Sequence, residues 1–524
     1  SAFPYNSIKY CLSQCGISIK DVNYIGFYWQ PWRGNLKRLY FLLRYFPKSL
    51  ETFRGEKEWR GSVRTLFDHI MVHSKLKKLG FKGKFFYIEH HLAHAASCFF
   101  VSPFEESVIL SVDLTGESAS TLFATGKDNK IYPFKRIYLP HSLGIFYAAL
   151  TQYLGYKANS DEYRVMGLSA YGEPKYKEIF EKMVRFDEGN IINDNSFFAY
   201  HLGGDICYSE KFIEYFGPPC SKEECVDEKK YKDIAASGQE LLNDLMVKIA
   251  RWLRMKTGIQ NLSIAGGVGL NSVANGKIYE SKIFKDIWIQ PAAYDAGCSI
   301  GCAFYIWNQL LNKKREFIMT HAYWGSEYKN DEYESAIKIS KLSYEYYSNI
   351  EKKTAELLNA GKVVGWFQGR MEWGPRALGN RSIIADPRKK GMQDMINEKI
   401  KFRELYRPFA PSVLEEDSEE YFDFYCPSPY MLFVCNVKRA KREQIPAVTH
   451  VDNTARIQTV NKQTNLRYWN LINEFKKITG ISVILNTSFN RKGEPIVCTP
   501  DDAINCFINT NIDYLVLGDY LVWK

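Results

Sequence analysis

Between Lys84 and Glu117 the chain runs KFFYIEHHLAHAASCFFVSPFEESVILSVDLTGE, and no other stretch limits its fold as tightly. Phe85–Ile88 is an apolar run of strand type. His90, His91 and His94 then fall among small residues, and a second apolar run, Val108–Val112, ends on Asp113. Residues four apart share one face of a helix, so His90 and His94 stack one turn apart. Two imidazoles at that spacing, with a carboxylate at a strand end, are a candidate metal site. The competing reading is a pair of hydrogen-bonded core histidines. A strand-end acid followed by Thr115-Gly116-Glu117 favours the metal, because an acid before a glycine turn is typical of sites that hold metal and phosphate.

A chain of 524 residues is too long for a single core, so two or more domains are expected. No apolar run approaches the roughly 20 residues of a membrane helix, and no signal-peptide pattern is visible, although Ser1 is not a natural start. The twelve cysteines form no CxxC pair; the nearest neighbours are Cys11/Cys15, Cys220/Cys225 and Cys298/Cys302. Reduced thiols in a cytoplasmic protein are expected. Net charge is +10, and Pro31 to His90 holds 14 Lys+Arg against 5 Asp+Glu, a local excess of +9. That excess is either a solvated helical insertion or a surface for a polyanion.

Taken in order, the pattern predicts a helix over 5–18 stopped by Gly16, a strand from Val22 to Trp29 and a helix from Leu36 to Phe46. Strands and turns recur from Ser107 to Tyr138, as in the hairpins that open an actin-like ATPase domain. Glu162 and Arg164 suit an acid and a base lining a cleft, or a surface ion pair. Residues 185–235 read as a polar, irregular excursion, followed by a long amphipathic helix from about Asp233 to Thr257. Asn261 to Asn271 is a strand emptying into a glycine turn and a helix, an arrangement that offers backbone N–H groups to an anion. After Ile287–Pro291, Asp295 stands at a second strand end, available to the same metal as Asp113, before an apolar helix to Leu311. The texture changes between about 325 and 350. Beyond it, Arg376 and Arg381 lie five apart around a turn, followed by Lys401, Arg403 and Arg407. His450, Asp452, Thr454, Arg456 and Gln458 alternate strictly, predicting one face of one strand. With Leu485–Asn490 they suggest an anion pocket, since arginine grips phosphate and carboxylate with two N–H groups.

HHLAHAA, DEYRVMGLSAYGEP, AGGVGLN, PAAYDAG, GRMEWGPRALGNRS, YRPFAPSVL, NTSFN and GEPIVCTPDDA occur in this order. On these motifs the chain resembles the ATP-dependent O-carbamoyltransferases of nodulation-factor, tobramycin and cephem-antibiotic biosynthesis. The resemblance implies an α/β protein in two parts. An actin-like (ASKHA) ATPase-type domain over 1–335 is akin to the tRNA threonylcarbamoyl transferases, and a YrdC-like α/β domain spans 345–524. It implies carbamoyl-adenylate made from carbamoyl phosphate and Mg-ATP in the second domain, then carbamoyl transfer to an acceptor hydroxyl in the first. It assigns His90, His94, Asp113 and Asp295 to a divalent metal, Fe(II) in the family. Arg376, Lys401, Arg407, Arg456, Ser488 and Asn490 would bind carbamoyl phosphate and carbamate. Gly116, Glu117, Arg164, Gly266, Gly267 and Asn271 would seat the nucleotide.

Three features depart from the family. No Gly-His-Asp-x-Ser-Ala hairpin, whose His is thought to deprotonate the acceptor, precedes Phe3. Leu114 replaces the first glycine of Asp-Gly-x-Gly-Glu, so that turn should differ, because leucine resists positive φ. Arg164 replaces a usual lysine. A carbamoyl- or threonylcarbamoyl-adenylate enzyme acting on RNA or a protein thiol, and a non-catalytic ATP-binding regulator, are the alternatives. The acceptor is a small-molecule alcohol or, given the basic stretch, hydroxymethyl-pyrimidine DNA. A monomer or homodimer with no membrane partner is expected.

Overall fold

The computed structural model describes residues 3–47, 49, 63–202, 205–221 and 227–524. Part of the basic stretch, and Cys225, lie outside the described residues. The N-terminal region begins with the Tyr5–Gln14 helix, followed by Gly16 at φ +63°, and a parallel pair of short strands, β1 (Tyr24–Phe27) and β2 (Lys84–Tyr87). Its main sheet uses β3 (Glu106–Val112), β4 (Ala119–Lys127) and β5 (Lys130–Tyr138). A β6–β7 hairpin (Val184–Asp187, Asn190–Asn193) precedes the last two members, β8 (Asn261–Ala265) and β9 (Asp286–Ile289). The order is β5-β4-β3-β8-β9, an antiparallel meander continued by two strands parallel to β3. Strands β3, β8 and β9 therefore end together, and their carboxyl ends are where open α/β sheets place ligands.

The C-terminal region is an eight-stranded mixed sheet. Its strands are β10 (Ser343–Tyr346), β11 (Val364–Phe367), β12 (Arg381–Ala385) and β13 (Ala410–Leu414), a separate β14–β15 pair (Val434–Asn436, Thr454–Arg456), then β16 (Gln458–Val460), β17 (Val483–Ser488), β18 (Tyr514–Leu517) and β19 (Tyr520–Trp523). The order is β10-β19-β18-β11-β12-β17-β13-β16. The chain is thus a mixed α/β protein in which one hydrophobic cluster runs from Val108 and Leu110 through Phe409 to Val522, joining the two sheets. Trp366, Tyr468 and Phe475 form a second core under the Leu466–Thr479 helix. Polar contacts tie the regions as well: Tyr156 Oη to Tyr406 Oη at 2.8 Å and Asn275 Nδ2 to the Leu432 carbonyl at 3.0 Å.

Four expectations change. The alternation from His450 to Gln458 is no single strand: the Asn453 N–H donates to the His450 carbonyl in a turn, with Asn453 at φ +65°, before β15 and β16 begin. A turn flanked by short strands shows the same period-2 pattern as one long strand. Residues 185–235 are no polar excursion, since Phe197, Phe198, Phe212 and Phe216 are buried beside the β6–β7 hairpin. Arg381 is completely buried, stacked 3.6 Å from the centroid of Phe367 and donating to the carbonyls of Gln368, Gly369 and Ser326. It is part of the core and does not line the cavity. Cys220 is disulfide-bonded, against the expectation of reduced thiols throughout, while ten other cysteines are free.

The His90–Phe99 helix is clamped at both ends. It lacks a capping side chain of its own, and Glu117 accepts from the His90 N–H at 3.1 Å and the Gln30 N–H at 2.9 Å. At the other end Arg315 donates to the carbonyls of Phe99 (3.0 Å), Phe100 (3.3 Å), Ser102 (2.8 Å) and Phe104 (2.6 Å), groups a helix terminus leaves unpaired. Arg315→Ala strands several of these carbonyls. It is expected to cost about 2–3 kcal/mol and to lower the first unfolding transition in a denaturant melt.

Candidate active site

Each acid or imidazole of the first region reaches the site from the end of a regular element. Strand β3 delivers Asp113, whose Oδ1 accepts from the Leu114 N–H at 2.6 Å. Leu114 keeps a negative φ, so the turn is made without the left-handed residue that a glycine there would allow. Beside it Gly266 sits at φ +91°, and a Cβ would lie 2.1 Å from the Val112 carbonyl oxygen, so only glycine lets β8 leave the sheet here. Asp295 follows β9 in a short turn before the Cys298–Phe304 helix.

The structure brings His90, His94, Asp113 and Asp295 together, with one donor atom from each lying within 4.8 Å of the others. His94 Nε2 is 3.0 Å from Asp113 Oδ2 and 3.8 Å from Asp295 Oδ1. His90 Nε2 is 3.7 Å from each carboxylate and 3.1 Å from His94 Nε2. Ligands about 2.0–2.2 Å from one tetrahedral ion stand roughly 3.3–3.6 Å apart, so the spacing is that of a coordination shell. Burial works against charging His90, yet Asp113 and Asp295 raise its pKa to about 9. The pair thus holds a cation's charge even where a proton supplies it. Asp113 Oδ2 is buried against the two histidine Nε2 atoms, while His90 Nδ1 and His94 Nδ1 are buried without hydrogen-bond partners. His91 shows the contrast, bonded to Ser111 Oγ at 2.8 Å and the Ala119 carbonyl at 3.1 Å.

Asp113 and Asp295 open into a cavity of about 940 Å³ between the two regions. It is also lined by Arg376, Lys401, Arg403, Arg407, Arg456, Ser488 and Asn490. Burial, then repulsion from Arg407, lowers Arg376 to about 10 and Arg403 to about 9. Arg456 is depressed well below the usual range by burial and by Arg376, Arg403 and Arg407. Guanidinium does not lose its proton in proteins, so these shifts measure crowding of positive charge that an anion would relieve. Glu404 lies 3.6 Å from Arg407 and 3.3 Å from Arg164, and Asp161, Glu162, Asp452 and Glu494 line the cavity. The Nε atoms of Arg376 and Arg456 are buried and unpartnered. Lys401 is occupied: it donates to the Ser488 carbonyl and to Asn490 Oδ1 (2.6 Å), which ties the turn down.

The expected nucleotide residues divide. Gly267, Asn271 and Arg164 line the cavity. Asn271 caps the Ser272–Glu280 helix through the Ala274 N–H at 3.0 Å and is bonded to Gln239 at 3.0 Å. Gly116, Glu117 and Gly266 do not line it: Gly116 packs under the His90 and His91 rings, and Glu117 caps the histidine helix. Two residues outside the expected set join the site. Arg403, read in the sequence with Lys401 and Arg407 but given no role of its own, lines the cavity with the other arginines. Glu162, flagged as an acid of the cleft, accepts from the Asn159 N–H, and burial pushes it up to about 7. A raised carboxyl gives the native state more protons than the unfolded chain between about pH 4.5 and 7. Its penalty is absent below that window and grows as pH rises through it. Because Glu162 faces a water-accessible cavity the full shift is discounted. Glu162→Gln should stabilise the ligand-free protein by about 1–2 kcal/mol at pH 8 and leave it unchanged at pH 4, read from denaturant melts.

Among the described residues no helix is long and apolar enough to cross a membrane. Residues 1–304 match the family model "Carbamoyltransferase N-terminus" and residues 355–524 match "Carbamoyltransferase C-terminus". An uncharacterized protein of Synechocystis, sll1178, is 42% identical over all of this chain and 91% of its own length. The nodulation protein NolNO of Sinorhizobium fredii is 38% identical over 99% of this chain and 74% of its own. NolO of Bradyrhizobium diazoefficiens is 40% identical over 83% of this chain and 79% of its own. Solved structures of HypF, one from T. kodakarensis, give TM-scores of 0.26 and 0.28 at 15% and 14% identity. They cover 48% and 47% of this chain and 40% and 42% of theirs, a likeness too slight to argue from. With both family models matched and relatives similar along its whole length, the chain belongs to the carbamoyltransferase family.

Proposed function

We propose that the two walls of the cavity serve two steps of one reaction, divided as the two regions divide. At the arginine wall water cleaves carbamoyl phosphate to carbamate and phosphate. The carbamate oxygen attacks the α-phosphorus of Mg-ATP, and pyrophosphate leaves carbamoyl-adenylate. At the opposite wall an acceptor hydroxyl takes the carbamoyl group, its proton departs and AMP is released. The observation that carries the reading is one cavity lined by four arginines, Arg376, Arg403, Arg407 and Arg456, and also by Asp113 and Asp295, whose donor atoms cluster with those of His90 and His94. Arg376, Arg403, Arg407 and Arg456 hold phosphoryl oxygens and offset the charge that builds on them, the main source of rate in such steps. Lys401 fixes the Ser488–Asn490 turn beneath the carbamoyl end. Gly267 and Asn271 line the cavity and would seat the adenylate.

Two imidazoles with carboxylates are a donor set that suits Fe(II), and His90, His94, Asp113 and Asp295 would hold it. When bound, such an ion supplies a Lewis acid that polarises the carbamoyl carbonyl. The acceptor is read as a small-molecule alcohol, since about 940 Å³ is a small-ligand volume, within the range of roughly 300–1,000 Å³. Release of pyrophosphate and AMP from ATP, dependent on carbamoyl phosphate and completed by an alcohol, is the test; AMP formed equally without carbamoyl phosphate would overturn the reading. Gel retardation of duplex DNA across a salt series addresses the other acceptor. The expected result is no shift even at low salt, whereas an affinity falling by orders of magnitude between about 50 and 200 mM salt would turn the reading to DNA.

A further inference from the structure

Three free cysteines, Cys98, Cys298 and Cys302, are buried in the helices around the histidine pair. Only one of them is placed with donor atoms. The Cys298 sulfur and one ring nitrogen each from His90 and His94 lie within 4.8 Å of one another, the same spread as the two histidines with Asp113 and Asp295. Cys298 is the first residue of its helix, three after Asp295, so the turn that delivers the carboxylate delivers the thiol one helical step later. That helix touches the His90–Phe99 helix backbone to backbone. A Cβ on Gly301 would lie 1.9 Å from the Ala93 carbonyl oxygen, and the contact keeps Cys298 within reach of the histidine turn.

The two candidate donors differ in setting. The Asp295 side chain is 59% exposed and lines the cavity, whereas Cys298 is completely buried and does not line it. We propose that Cys298 is a ligand of an ion held by His90 and His94, a buried sulfur donor in a set separate from the one the two histidines form with the carboxylates that open to the cavity. This rests on the metal reading above and narrows it. As the metal–sulfur bond forms, the thiol proton passes to solvent. A site of two imidazoles and a thiolate favours zinc, cobalt or ferrous iron and discriminates against magnesium and calcium, which take oxygen ligands. The competing account makes Cys298 a small hydrophobe packed with Ile88, Ala93, Cys302 and Ile306.

Cobalt(II) titrated into the chelator-treated full chain separates the two. Visible d–d bands report cobalt on nitrogen and oxygen donors, and a near-ultraviolet sulfur-to-cobalt charge-transfer band reports a thiolate. The wild-type protein is expected to show both. Cys298→Ser should keep the d–d bands, lose the charge-transfer band and bind cobalt about tenfold or more weakly, at least the loss an outer-shell partner produces. Cys302→Ser and Asp295→Asn should retain the charge-transfer band. Wild-type d–d bands without a charge-transfer band would overturn the assignment of Cys298 and leave the metal site standing. No cobalt spectrum at all in the wild-type protein would remove the metal reading, and Cys298 with it. The decision rests on the unaltered chain, so a poorly folding variant does not obscure it.

Discussion

Arg456→Ala is expected to abolish pyrophosphate release that depends on carbamoyl phosphate while leaving the fold intact. Its guanidinium faces the cavity with a buried, unpartnered Nε, and Arg376, Arg403 and Arg407 all press on its charge. A group so placed contributes to binding an anion and nothing to the ligand-free fold. Losing one charged contact to a developing phosphoryl charge costs about 2–4 kcal/mol, a factor of roughly 30 to 1,000 in rate. Stability should move the other way, since removing one of four like charges relieves repulsion, and the melting temperature of the ligand-free variant should match or exceed that of the wild type. A folded Arg456→Ala protein that releases pyrophosphate at the wild-type rate would return this arginine to a structural role.

His94→Ala is expected to spare carbamoyl-adenylate formation and to stop transfer to the acceptor. His94 is completely buried, with Nε2 3.0 Å from Asp113 Oδ2, which lines the cavity, and 3.1 Å from His90 Nε2. Polarisation of a carbonyl by a bound ion is worth several kcal/mol, so transfer should fall by about a hundredfold or more. Metal analysis provides the independent readout: divalent metal in the wild-type protein and none in the variant. Equal metal in both would return the histidines to core packing. Adenylate formation lost along with transfer would place the ion in the first step and break the division of labour between the two walls.

Much of the site's local geometry was legible in the chain. The i, i+4 spacing of His90 and His94, a strand ending on Asp113 and the glycine turn after Ala265 are short-range features, and each fixes where a side chain or backbone group points. Arg381 and Arg376 show the limit. Both arise from one motif, yet Arg376 faces the cavity while Arg381 disappears beneath Phe367, because the β11–β12 register decides which side of the turn is core. Likewise Gly116 and Glu117 fit a phosphate turn by composition, and packing uses them to seat and cap the histidine helix.

The sequence by itself determined the alternation of strands and helices, the helix that carries two imidazoles on one face and the family in which these motifs occur. Only the tertiary structure decided which charges share a cavity. Asp295 meets His90 because β9 pairs with β8 and β8 with β3, which aligns the ends of strands far apart in the chain. Arg403 joins Arg376 and Arg456 because loops of the C-terminal region and the end of β15, in its separate pair, line one cavity. Local periodicity records which face of an element is apolar. It holds no record of which distant element covers that face, and the crowding of positive charge that marks an anion site exists only once those elements have met.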